Sequence, residues 1–301
     1  KAIKINKEYY TSYNNLGLYF NRIGDKEEAF KQYKKCLSIE PNYPNALNNI
    51  GLIYFYYEEN EKAFECFNKA LKIDPKMTDL YFNLADTYFK LRKFKEAEMW
   101  YDKGFKMEPE NIIGHHNHAF FLLALQQYKK AWIEYDYRLT RSPKLTQNLT
   151  HNNIKHKLWN GGELKDQKIL VMREQGAGDE ILYSSMYKEL KKLYPDIIFE
   201  ADPRLIPIFN RSFGFKLVPE NEISANKKTL NNNNIDTIIF AGSLGRILRQ
   251  EKENFPKITK YLIPNKELVK KIKSRLDKIN DKPKIGVSWF SKNKRIGGGK
   301  S

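Results

Sequence analysis

Along the first 143 positions, apolar residues recur three and four apart in blocks broken by short polar turns, the spacing of one face of an amphipathic helix. Laid over itself at a step of 34 residues, the chain reads YNNLGLYF, LNNIGLIY, YFNLADTY and HHNHAFFL from Tyr13, Leu47, Tyr81 and His115. The register persists downstream in small residues (Ala29, Ala63, Ala97, Ala131), aromatics (Tyr33, Phe67, Tyr101, Tyr135) and prolines (Pro41, Pro75, Pro109, Pro143). Small residues let paired helices approach, aromatics fill the gap between them, and proline ends the second helix. Four helical hairpins are therefore expected over residues 10–143, the last degenerate because Gly17 and Gly51 give way to Ala85 and Ala119.

Past residue 166 the period changes. KILVM, IIFEA, FKLV and IDTIIFA read as strands, and DEILYSSMYKELKKLY, PRLIPIFNRS, SLGRILRQ and ELVKKIKSRLDKI as helices between or after them. Apolar strands alternating with amphipathic helices predict a parallel, Rossmann-like α/β sheet. The aperiodic stretch 144–166 reads as a linker anchored by Trp159. The pattern of the first half is that of the tetratricopeptide repeat, so the expected fold is an α-solenoid of such repeats followed by an α/β domain. The expected divisions are a solenoid over 1–143, a linker over 144–166, an α/β lobe over 167–283 and the start of a further unit over 284–301.

One column is unexpected: Asn15, Asn49, Asn83 and Asn117 occupy the same place in all four repeats. A carboxamide both donates and accepts, so a row of them can hold an extended peptide by its backbone, whatever its side chains. Bonding between neighbouring repeats, or inheritance from a duplicated unit, accounts for the same column.

Net charge is +17, with Lys+Arg exceeding Asp+Glu by 4 through residue 150 and by 13 beyond it. Such a basic second half favours phosphate-bearing ligands, although a general Lys and Asn bias gives the same balance. No aromatic-basic motif of recognised form accompanies the charge, so nucleic acid is not an expected partner. No apolar run reaches the roughly 18 residues of a membrane span, and Cys36 and Cys66 read as reduced core thiols; a cytoplasmic protein is expected. His115 and His118 fall in packing columns without acidic or cysteine neighbours, so no metal is expected.

The stretch VMREQGAGDEIL, residues 171–182, carries the candidate chemistry. A dinucleotide fingerprint would use Gly176 and Gly178 and the later acid Glu200, but the third glycine position is Ile181, and Asp179 at the helix start would repel a pyrophosphate. Asp179 can cap the helix. It can also accept a proton at the carboxyl edge of a parallel sheet, and the two roles are compatible.

The segments LWNGGELKDQKILVMREQGAGDEI, EADPRLIPIFNRSF, GSLGRILRQ, FPKITKYLIP and KIGVSWF resemble bacterial tetratricopeptide proteins with a glycosyltransferase-like region. That region is related to the heptosyltransferases and, more distantly, to the protein O-linked N-acetylglucosamine transferases. The resemblance implies a two-lobed GT-B fold, with residues 167–283 as acceptor lobe and 284–301 as the start of the donor lobe. It implies Asp179 as general base beside Gly176 and Gly178, and acceptor peptide held by Asn15, Asn49, Asn83 and Asn117. It further implies donor phosphate met by Ser288, Lys292, Lys294 and Arg295, with a nucleotide sugar as co-substrate and no metal. The expected function is sugar transfer to a protein, peptide or saccharide acceptor, inactive in a chain that stops short of the donor lobe. The alternative is a non-catalytic adaptor with a degenerate α/β domain.

Overall fold

The structure, a computed structural model, describes residues 9–141, 157–162, 167–220, 222–224, 227–257 and 260–279. The chain falls into two compact units, one up to Asn117 and one over His118–Lys284.

The first unit is built from helical hairpins: α1 Tyr10–Ile23 with α2 Lys26–Ile39, α3 Pro44–Tyr56 with α4 Asn60–Ile73, and α5 Asp79–Lys90 with α6 Phe94–Met107. Helix α7, Ile112–Ala124, begins the fourth repeat, and α8, Tyr128–Asp136, completes it within the second unit. The periodic columns are the core. Ala29, Ala63, Ala97 and Ala131 are fully buried, as are the rings of Tyr33, Phe67 and Tyr101. Pro41, Pro75 and Pro109 each follow the capping residue of a second helix, where a missing N–H costs nothing. A further column lies in the backbone. The turn inside each hairpin places Gly24 (φ 91°), Glu58 (62°), Arg92 (59°) and Gln126 (60°) in the left-handed region.

In the second unit, strands β1 Lys157–Leu158, β2 Ile169–Met172, β3 Ile198–Ala201, β4 Val218–Pro219 and β5 Thr237–Phe240 form one parallel sheet in the order β1-β5-β2-β3-β4. The central strands β2 and β5 are buried at every position, and β2 reads as an unbroken apolar run because both faces of the sheet are covered there. Ile169, Val171, Phe199 and Ile239 face Tyr187, Leu190, Phe209 and Leu244, whereas Leu170, Met172, Ile238 and Phe240 face Ile223, Leu230 and Ile235. The stretch expected to be only a linker contributes β1, and Trp159 beyond it is buried at 5% exposure.

After α8 comes the single turn α9, Arg138–Arg141, and the helix expected from residue 179 to 194 is two helices, α10 Ala177–Ser184 and α11 Tyr187–Leu193. At the break, Ser184 and Ser185 turn their hydroxyls back onto the carbonyls of Ile181 and Leu182, both at 2.7 Å, competing with the backbone ladder. Helix α12, Ile206–Phe213, follows β3, and α13, Lys227–Asn232, precedes β5. After β5 the chain passes through a 3₁₀ turn, Ala241–Leu244, into α14, Gly245–Leu248. Helix α15, Lys266–Asp277, ends the described chain and buries no residue. Among the described residues, no helix is long and apolar enough to cross a membrane.

Candidate functional site

Within the first unit the asparagine column lies between successive first helices. Asn49 Nδ2 donates to Asn14 Oδ1 (3.0 Å), and Asn83 Nδ2 to Asn48 Oδ1 (2.7 Å). The fourth rung differs for a reason in the sequence: 35 positions before Asn117 stands Phe82, which cannot accept, so Asn117 Nδ2 donates to Asp86 Oδ2 (2.6 Å) instead. Asp86 also accepts from the buried hydroxyl of Tyr101. A second amide column, Asn14 and Asn48, thus supplies the acceptors; both are buried, whereas Asn49, Asn83 and Asn117 are half-buried and Asn15 is exposed. Each half-buried amide commits one N–H to the neighbouring repeat, which fixes the plane of the group and leaves a second N–H and the carbonyl oxygen.

At the carboxyl edge of the sheet, the glycine loop differs from its expected form. Helix α10 starts two residues before Asp179, so the N-cap is Gly176, and Asp179 sits in the first turn. Its Oδ2 accepts from the Gly176 N–H at 3.2 Å, capping from within the helix, and the residue remains exposed. Gly178 is helical, and a Cβ added there would meet nothing within 4 Å. Glu200 is also committed: its carboxylate accepts from Ser224 N–H and Oγ, each at 2.8 Å. Ser288, Lys292, Lys294 and Arg295 lie outside the described residues.

Beside Asp179, the buried Glu180 and Asp202 and the exposed Glu220 are held by arginines. Arg173 Nε donates to Glu180 (2.8 Å) and Nη1 to Glu220 (2.6 Å), while Glu180 also accepts the Asp202 N–H (2.8 Å). Burial pushes the Glu180 carboxyl up, against the pull of Arg173. The hydrogen bond from Arg204 brings Asp202 down to about 2.

The most heavily bonded point of this edge is where β2 and β5 adjoin and the chain reverses its direction of winding, the crevice in which open α/β sheets receive ligands. Here it is filled from within. Arg138, just past α8, donates from Nε and Nη2 to both oxygens of Glu174 (2.9 and 2.6 Å), from Nη1 to Asp136 (2.8 Å) and from Nη2 to Ser243 Oγ (3.0 Å). Glu174 also accepts the Gly242 N–H. Trp132 Nε1 donates to the Arg249 carbonyl (2.6 Å), and the Tyr135 and Tyr183 hydroxyls stand 2.7 Å apart. Two glycines of GSLGRILRQ follow from this contact: a Cβ on Gly242 would run into the Glu174 carboxylate and fall 2.8 Å from Arg138 Nη2, and one on Gly245 would fall 2.6 Å from the Trp132 ring. The second helix of the fourth repeat is thereby an integral part of the α/β unit. Sequence periodicity assigned it to the solenoid alone.

The histidines take packing places. His115 is buried, with Nε2 2.7 Å from the Pro109 carbonyl and its ring on Phe105. His118 stacks on Phe121.

Models of the tetratricopeptide repeat match residues 44–77 and 78–111, and a model of the TPR repeat matches 20–56. The hairpins are tetratricopeptide repeats. Protein FlbA of Caulobacter vibrioides is 28% identical over 149 residues, 44% of this chain and 24% of FlbA, so the chain spans only about a quarter of that relative. Among solved structures, YrrB, a TPR protein with an unusual peptide-binding site, superimposes at a TM-score of 0.39 with 20% identity over 52% of this chain and 84% of YrrB. PilF of Pseudomonas aeruginosa gives 0.42 and 19% over 64% and 80% of the respective chains.

Proposed function

We propose that this protein is a polypeptide-binding scaffold whose asparagine row grips the main chain of an extended segment. The observation that carries this reading is the shared bonding of Asn49, Asn83 and Asn117. Each has one N–H tied to the preceding repeat, and each is left half-buried with its remaining polar atoms oriented. Amides held in advance lose less conformational freedom on binding than free ones, and main-chain recognition is indifferent to side-chain sequence. Fluorescence anisotropy with labelled peptides of unrelated sequence tests it. Asn15→Ala, an exposed change away from the inter-repeat bonds, is expected to weaken all the peptides by a similar factor with unfolding unaltered. Undiminished binding with the whole row replaced by alanine sinks the reading.

A second reading adds sugar transfer to this scaffold. It rests on the exposed carboxylate of Asp179 at the carboxyl end of β2 in a parallel sheet, a position suited to taking the proton of an acceptor hydroxyl as it attacks a nucleotide sugar. In that reading Ser288, Lys292, Lys294 and Arg295 meet the donor diphosphate. Asp179→Asn in the full-length gene product would abolish transfer from a nucleotide-sugar donor and leave peptide binding intact. Transfer at the unsubstituted rate removes the aspartate from the mechanism.

A further inference from the structure

Docking of α8 onto the α/β unit creates a cleft of about 400 Å³ that neither reading uses. It opens at the carboxyl ends of β1 and β5. Lys129 and Ile133 of α8 form one wall, Asn160 after β1 another, and Arg246, Ile247 and Gln250 after β5 the third. No acidic side chain lines it.

Arg246 is ion-paired with Asp136 through Nε, and its terminal nitrogens remain largely open. Its Nε stands 3.2 Å from Asp136 Oδ2, its Nη2 reaches the Trp159 carbonyl only at 3.4 Å, and Nη1 makes no hydrogen bond among the described residues. Lys129 is exposed and forms no ion pair among the described residues. Asn160 Oδ1 accepts from Gly162 N–H (3.1 Å), which leaves its two amide N–H groups as donors. Gln250 Nε2 is bound to the Arg246 carbonyl (2.8 Å), holding the α14 end of the cleft together. Two cations and an amide therefore converge from three separate elements, with Ile133 and Ile247 as apolar walls.

We infer that this cleft binds a small organic phosphate. A carboxylate is planar and is satisfied by one forked arginine, whereas a tetrahedral phosphate dianion takes donors from several directions, as lysine and arginine on different walls supply. The volume falls in the range of small-molecule sites, and the apolar walls suit the organic part of an ester better than free phosphate. The basic balance of this half of the chain adds long-range attraction for an anion.

Isothermal titration calorimetry of the intact protein tests this, with ribose 5-phosphate as probe and ribose as its uncharged counterpart. Ribose 5-phosphate is expected to give saturable heat that weakens with added salt, and ribose none. Lys129→Gln and Arg246→Gln are each expected to weaken the phosphate ester roughly tenfold, the worth of one charge-assisted hydrogen bond. Lys188→Gln, an exposed change on α11, leaves it unaltered. Arg246 also braces Asp136 and Trp159, so Lys129→Gln is the decisive variant. Absence of saturable heat, equal heats with ribose, or full-strength binding by Lys129→Gln each overturns the inference.

Discussion

Arg138 lies across Glu174 with two parallel N–H to oxygen bonds, 2.9 and 2.6 Å, and the two side chains are 5% and 0% exposed. Burial opposes the charge of Arg138, but its bonds to the Glu174 carboxylate outweigh it and raise its pKa above the ordinary range. Removing one member of such a pair leaves the other charged, buried and unbonded. Arg138→Ala is expected to cost the second unit about 3–5 kcal/mol in urea unfolding, with Glu174→Ala in the same range. Replacing both with Met and Leu should cost well under the sum of the singles, because neither charge is then stranded. Additive losses would mean that the two act separately.

The glycines beneath this pair should be intolerant, and those of the conspicuous loop tolerant. Gly242→Ala and Gly245→Ala drive a methyl against Arg138 and the Trp132 ring, an overpacking expected to cost about 1–3 kcal/mol each. Gly178→Ala enters open space in a helix and should be neutral or slightly stabilising. Thermal unfolding of the three variants ranks them; loss of stability in Gly178→Ala alone would reverse the assignment.

Much of this was legible in the sequence, but the seam was hidden by the periodicity that revealed everything else. Ala131 and Tyr135 continue the repeat columns, so α8 reads as one more solenoid helix. The departure is one column further on: Cys36, Ala70 and Gly104, small and buried, become Arg138. An arginine where three repeats demand a small buried residue marks the point where the neighbour is no longer another repeat. No rule of spacing reveals its partner, because Glu174 comes from a strand end whose place depends on the sheet. Asp179 presents the converse case. Its glycines are conspicuous in sequence, yet they approach nothing closely, while Gly242 and Gly245 of GSLGRILRQ, which no spacing rule singles out, are forced by packing. Strands β2, β3 and β5 are readable as apolar runs, whereas FKLV meets β4 only at Val218, and β1 is not readable, since two residues carry no period.

The domain edge has a direct consequence. A fragment beginning at residue 144 lacks Trp132, Tyr135 and Arg138, leaving Glu174 without its arginine and the Tyr183 hydroxyl without Tyr135. It should show neither dispersed amide resonances nor a cooperative transition, whereas a fragment beginning near residue 110 and keeping α8 should show both. A folded fragment from 144 would make the seam dispensable.

Acid titration should separate two kinds of carboxylate. Burial raises Glu200 above its ordinary 4.5, against the Ser224 hydrogen bonds, and Glu180 shifts the same way. A carboxyl raised in the fold stabilises fully below its unfolded pKa, and that contribution is lost as pH rises through the folded value. Asp202, brought to about 2 from 3.8, contributes in the opposite sense: its stabilisation is present above 3.8 and lost as pH falls toward 2. Glu200→Gln should therefore flatten the fall in stability of the second unit as pH rises above 4.5, measured by urea midpoints, without altering the loss below 3.8. An unchanged slope above 4.5 would show that Glu200 ionises freely in the fold.

The hairpin turns offer a gain in stability. The left-handed position at the 34-residue period is glycine once, at Gly24, and is Glu58, Arg92 and Gln126 thereafter. An L-residue there brings Cβ against the following carbonyl, a strain of roughly 1–2 kcal/mol that glycine avoids, although glycine loses more backbone freedom on folding. The remaining gain is expected at about 0.5–1 kcal/mol per site. Glu58→Gly and Arg92→Gly should thus raise the unfolding midpoint of the first unit, and Gly24→Ala should lower it. Because the turns are separated by whole hairpins, the two gains should add. A lower midpoint for Arg92→Gly would mean that the side chain contributes more through its stem and charge than the backbone loses by strain, and the same substitution at Glu58 would then distinguish a general property of the turn from one peculiar to arginine.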